Sequence, residues 1–142
     1  MSRFCLAPRA PYSSLLKQPK ESKKRKPVKS ARDRDDKHLA AVRRCPCIAC
    51  DTDPARVAAH VRMSAPGKPV TGIGVKPDDR YTLPLCDDCH TRQPDAQHNV
   101  GEVKFWAALG LDPLAICAKL YAASPDVPKM RDFIFAAREG RK

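Results

Sequence analysis

The chain has 142 residues, with 27 Lys/Arg against 16 Asp/Glu and a formal net charge of +11, so it supports one small core and favours a polyanionic partner. Seven cysteines are an odd count, partly in paired spacings, which argues against a disulfide framework. Neither an apolar signal-like region nor a membrane-length apolar run is evident, so a reducing cytoplasm and no membrane partner are expected.

The charge is uneven. Residues 1–44 hold 14 Lys/Arg against 4 Asp/Glu, whereas Cys45 onward holds 13 against 12. Residues 1–30 read as a disordered basic arm, because Lys17–Lys29 has few apolar residues and two prolines and cannot offset the entropy of ordering. Its densest run, Lys23, Lys24, Arg25 and Lys26, would give salt-dependent, sequence-independent attraction to nucleic acid phosphates. A solvated tail is the plain alternative. Ser30 reads as the N-cap of a short helix to about Arg44, with Asp33 in its first turn, Leu39, Ala40 and Val42 inward and His38 on the surface.

Arg56–Met63 reads as a short strand around His60, and Tyr81–Leu85 as a second, with Pro84 at an edge or end. Between them lies a loop from Ser64 to Asp79, punctuated by glycine and proline. A helical turn is expected around His90, interrupted by Pro94, with a second start near Val100. Glu102–Leu109 should stop at Gly110, Asp112-Pro113 should open a helix to about Ala123, and Pro128 should open a last one with Met130, Phe133, Ile134 and Ala137 on one face. Phe105 and Trp106 read as core. The expected organisation is the arm 1–30, a folded domain 31–123 and a C-terminal helix within 124–142.

Two Cys-x-x-Cys pairs, Cys47/Cys50 and Cys86/Cys89, have the spacing of a tetrahedral four-thiolate zinc site, because each turn presents two sulfurs to one metal. Cys45 is an alternative to Cys47, and His90, directly after Cys89, is an alternative ligand. A dithiol redox site is a further option, disfavoured because neither pair lies in a βαβ pattern. Cys5 lies in the arm and Cys117 reads as a small buried hydrophobe.

The order Cys-x-x-Cys, Ala-Ala-His60-Val, Gly72-x-Gly74-x-Lys76, Asp79, Leu-Pro-Leu-Cys86-x-x-Cys89-His90 and Gln97-His98-x-x-Gly101-x-x-x-Phe105-Trp106 resembles HNH endonucleases of the ββα-metal, or His-Me finger, superfamily. In particular it is similar to small phage and prophage members akin to the recombination-enhancement nuclease of temperate phages. The likeness spans roughly Cys45 to Tyr121. It implies an α+β fold: a small ββα-metal domain stapled by the four-cysteine zinc, with additional C-terminal helices after it and the basic arm before it. It also implies His60 as general base, Asp79 as the middle Asn/Asp, and His90 and His98 as ligands of a catalytic divalent metal, Mg²⁺ or a transition metal, beside the structural Zn²⁺.

The implied activity is metal-dependent hydrolysis of DNA phosphodiester bonds, leaving 5′-phosphate and 3′-hydroxyl ends, in phage or prophage recombination or DNA processing. A recombinase filament is a candidate partner and the bacterial host cytoplasm the implied setting. Arg62, Lys68, Lys76, Arg80 and Arg92 are candidate DNA contacts alongside the arm. Two positions depart from the family pattern: Ala59 stands where many members carry an Asp or His ligand, and seven residues separate His90 from His98 where three are usual. A non-catalytic zinc-finger module derived from such a nuclease, binding DNA or a protein, is therefore the main alternative. An RNA-binding accessory protein is favoured by the arm alone.

Overall fold

The computed structural model describes residues 32–69, 71–72 and 74–141. Helix α1 (Asp36–Arg43) precedes two antiparallel strands, β1 (Val57–His60) and β2 (Thr82–Leu85), which pair with Val57 opposite Leu85 and His60 opposite Thr82. A π-helical turn (Asp88–Arg92) follows, then α2 (Gln97–Val100), α3 (Glu102–Leu109), α4 (Pro113–Ala123) and α5 (Val127–Glu139). The class is thus α+β, with four cysteines gathered beside a small sheet. The expected arm, with Cys5, Lys23, Lys24, Arg25, Lys26 and Ser30, lies outside the described residues. No single helix among the described residues is long and apolar enough to cross a membrane.

Helix α1 starts later than expected, at Asp36, with Asp35 as its N-cap accepting from the His38 amide at 2.9 Å. The preceding residues are committed elsewhere. The Asp33 amide donates to Asp78 Oδ1 at 2.9 Å, the Asp79 amide to the Asp33 carbonyl at 3.1 Å, and the Asp35 amide to Asp79 Oδ2 at 3.0 Å. Residues 32–35 are therefore a strap across the turn that leads into β2. The expected surface position of His38 is also corrected: α1 turns it inward with Leu39, Ala41 and Val42, fully buried, its ring edge-on to Tyr121 at 5.0 Å.

In β2, Pro84 pairs with Ala58 and has no amide to donate, which a two-stranded sheet tolerates because both strands are edges. Its carbonyl instead accepts from the Ile48 amide at 3.0 Å, tying the first Cys-x-x-Cys turn to the sheet. Downstream, Asp112 accepts from the amides of Leu114 and Ala115 at 3.0 and 3.1 Å, with Pro113 in the first turn of α4. Asp126 caps α5 through the Lys129 amide at 3.2 Å, so that helix opens at Val127, one residue before Pro128. Such caps contribute about 1 kcal/mol each. Gly110, at φ 64°, ends α3 in the left-handed region that a side chain would strain.

These elements share one core. Ile48, Leu83, Leu85, Trp106, Leu120, Met130 and Ile134 are its largest fully buried side chains. Because Met130 and Ile134 lie in that same cluster, α5 packs onto the cysteine-bearing core and onto α4. Phe105 and Trp106 are core residues, as expected. Leu83 is fully buried in β2, so Leu83→Ala should lower stability by about 2–5 kcal/mol in urea or thermal melts.

Candidate metal centre and active site

The four sulfurs of Cys47, Cys50, Cys86 and Cys89 all lie within 4.8 Å of one another. A zinc–sulfur bond of about 2.3 Å puts tetrahedral sulfurs roughly 3.8 Å apart, and Cys50 Sγ stands 3.6 Å from Cys86 Sγ. The local backbone shapes both turns: the Cys47 amide donates to the Thr52 carbonyl at 2.8 Å and the Cys89 amide approaches Cys86 Sγ at 3.5 Å. Burial, followed by the charge of Cys47, holds the Cys89 thiol well above the usual thiol range, whereas Cys50, despite the opposing effect of burial, is lowered to about 7 by its hydrogen bonds with Thr52. Arg141 braces the first turn from the C-terminal side, donating to the Ala49 carbonyl at 3.1 Å. Cys45 is fully buried and donates to the Ala41 carbonyl at 3.4 Å, outside the cluster, and Cys117 is buried beneath β2. His90 is outside it too, so among the described residues the four cysteines form the group that fits zinc.

At the other end of β1, His60 Nε2 lies 2.9 Å from Asp79 Oδ1. Asp79 is fully buried and each part of it is held. Arg32 Nη2 stands 3.1 Å from the same Oδ1, the Asp35 amide donates to Oδ2, and Thr82 Oγ1 donates to its carbonyl at 2.8 Å. Thr82 is also the cross-strand partner of His60, so the sheet register fixes the pair. A carboxylate accepting at Nε2 selects the tautomer that carries its proton there and leaves the Nδ1 lone pair free. Burial, with help from Arg32 and Lys76, lowers the His60 pKa despite the opposing pull of Asp79, so the imidazole is neutral at physiological pH.

His90 and His98 also come together, with Nε2 atoms 3.1 Å apart and rings edge-on at 4.5 Å. Their long interval closes because the π-helical turn ends at Arg92, Pro94 breaks the chain, and Asn99 in α2 donates to the carbonyls of Thr91 and Gln93 at 3.1 and 2.6 Å. Two imidazoles on one metal at about 2.1 Å have nitrogens roughly 3.0–3.4 Å apart, and a direct imidazole–imidazole hydrogen bond has a similar span. Among the described residues this pair has no third ligating side chain within 4.8 Å, and Ala59, buried in β1, offers none.

A cleft of about 310 Å³ is lined by His60, His90, His98, Arg62 and Lys76, so the three expected histidines face one space. The other expected cations divide differently. Lys68 is corrected: it is 8 % exposed, donates to the Met63 carbonyl at 2.9 Å and lies over the Tyr81 ring, so its ammonium is spent inside the fold. Arg80 pairs with Asp33 and lies over Tyr121, and Arg92 pairs loosely with Asp88; both line other grooves. Sequence reasoning missed Arg32, which looked like one more cation of the basic segment. It also missed Glu102, whose carboxylate accepts from the Arg62 amide at 2.8 and 3.0 Å on the adjoining wall beside His60 and His98. Only the helix start after Gly101 hinted at Glu102.

No family model, curated protein or solved structure matches this chain. Its site must therefore be read from its own chemistry. Cys86→Ser should lose the bound zinc and much of the helical signal in circular dichroism, while Cys117→Ala keeps one zinc per chain by metal analysis.

Proposed function

We propose that this chain is a divalent-metal-dependent endonuclease of the HNH, or ββα-metal, type that hydrolyses DNA phosphodiester bonds. The observation that carries the reading is the shared cleft: a neutral histidine held by a buried carboxylate faces a pair of histidines whose nitrogens have metal-ligand spacing. A general base near its useful protonation state is what attack by water on phosphorus requires. In that role His60 takes the water proton at Nδ1, and Asp79 keeps the ring in the tautomer that can accept it. Arg62 and Lys76, on the same cleft, suit phosphate oxygens. His90 and His98 would hold the cation, which when bound supplies positive charge at the phosphate as negative charge builds there.

The resemblance to phage and prophage nucleases carries the finer reading: 5′-phosphate and 3′-hydroxyl products, a role in recombination or DNA processing, and a setting in the bacterial cytoplasm with a recombinase filament as partner. The arm would then add affinity through its cations. A DNA-binding zinc module without catalysis is the second reading, favoured by the two-ligand character of the histidine pair and by Ala59.

Supercoiled and single-stranded DNA incubated with the zinc-loaded protein in EDTA, Mg²⁺, Mn²⁺ or Ni²⁺ separates the two readings. Metal-dependent nicking supports the nuclease, and retarded but intact DNA under every condition supports the binding module. Under the nuclease reading His60→Ala should slow nicking by about a hundredfold or more while calorimetric binding of Mn²⁺ or Ni²⁺ persists. His90→Ala should instead lose that second metal and keep the zinc. Because the lone pair must be unprotonated and the His60 pKa is lowered, the wild-type rate should hold through neutral pH and fall on the acid side of the ordinary imidazole range.

A further inference from the structure

Asp79 is surrounded more closely than a simple orienting carboxylate needs. Its Oδ1 takes both His60 Nε2 at 2.9 Å and Arg32 Nη2 at 3.1 Å, and its Oδ2 takes the Asp35 amide at 3.0 Å. Arg32 is only 16 % exposed in its side chain and its Nη2 reaches Asp79 Oδ1, so the guanidinium is turned inward onto this carboxylate. Its backbone is delivered there by the strap, which is pinned on both sides of Asp79 by the Asp33 and Asp78 bonds and by Arg80 Nη2 to Asp33 Oδ2 at 3.3 Å.

That sharing has an electrostatic consequence. A histidine paired with a lone carboxylate is drawn toward its charged form, because the anion stabilises imidazolium. A general base must avoid that outcome at working pH. A second cation on the same oxygen takes up part of the anion's field and repels a proton on the ring. Resting on the reading of His60 as the base, we propose that Arg32 is a positioning residue, which by sharing Asp79 Oδ1 lets the carboxylate orient the imidazole without protonating it. The other charges facing His60 come from Lys76 on the loop, Arg62 beyond β1 and Glu102 on α3, with the imidazoles of His90 and His98 across the cleft. Of these cations Arg32 alone has a guanidinium on the carboxylate that holds the ring.

The directions of the pKa shifts agree: burial lowers His60 most, Asp79 opposes, and Arg32 and then Lys76 lower it further. The strap also joins the basic N-terminal segment to the catalytic pair. Truncation that stops before Arg32 leaves Asp79 fully partnered, whereas truncation through Asp35 removes two of its donors.

The test is an NMR titration of the His60 ring in the full-length, zinc-loaded protein, assigned by His60→Gln and run on wild type, Arg32→Gln and Arg32→Lys. The wild-type midpoint should lie below that of a free imidazole, Arg32→Gln should move it upward, and Arg32→Lys should stay near wild type because the charge is kept. The acid limb of the cleavage rate should move with it. A wild-type midpoint above the free imidazole value overturns the proposal even if Arg32→Gln does not fold. So do equal midpoints in wild type and Arg32→Gln, or equal shifts in the Gln and Lys variants. If cleavage requires His60 but the midpoints coincide, the nuclease reading stands and this inference fails; if the midpoints shift but no condition gives cleavage, the electrostatic role stands and the nuclease reading fails.

Discussion

The closure of Cys47/Cys50 onto Cys86/Cys89 is the constraint on which the remaining structure depends. It joins the turn after α1 to the end of β2, and the Ile48–Pro84 hydrogen bond continues the same seam into the sheet. A chain this short buries little, so a metal that binds only the folded arrangement adds its binding free energy to folding. Thiolates gathered this closely would repel one another, and the Cys89 thiol is held well above the usual range. A cation held between them would offset that repulsion.

From that seam the cleft follows by short connections. β2 runs from Thr82, beside the His60–Asp79 pair, to Leu85, beside the thiolates, so one four-residue strand links the two centres. The π-helical turn leaves Cys86 and carries His90 directly, and Asn99 brings His98 back to it. The strap 32–35 closes the opposite side by binding both carboxylate oxygens of Asp79. The two clusters are thus distinct in chemistry, soft sulfurs against imidazoles and a carboxylate, yet joined through few bonds.

Much of this was legible in the chain. The Cys-x-x-Cys spacings, the strands around His60 and Leu83, Asp112-Pro113 and Gly110 are local signals whose physics acts within a few residues, and the structure bears them out. The start of α1 was not legible, because Ser30 and Asp35 are both good caps and the choice depends on Asp33 and Asp35 being tied to residues 44–45 positions away. His38 was misplaced for a related reason: a histidine beside Leu39 has no sequence mark telling whether Tyr121 will cover it. Lys68 and Arg32 are the clearest lessons. Both look like solvated cations in sequence, and each is directed inward by a partner, the Tyr81 ring or Asp79, that only the tertiary structure supplies.

The most direct measurement is X-ray absorption at the zinc edge of the full-length protein carrying one metal equivalent, repeated with a second divalent metal at its own edge. Four sulfur neighbours at about 2.3 Å are expected for the first equivalent, and, under the proposed reading of the cleft, histidine with oxygen ligands and no sulfur for the second. Nitrogen in the first shell of the zinc, or a sulfur count below four, would contradict the separation of a structural thiolate centre from a histidine-lined cleft.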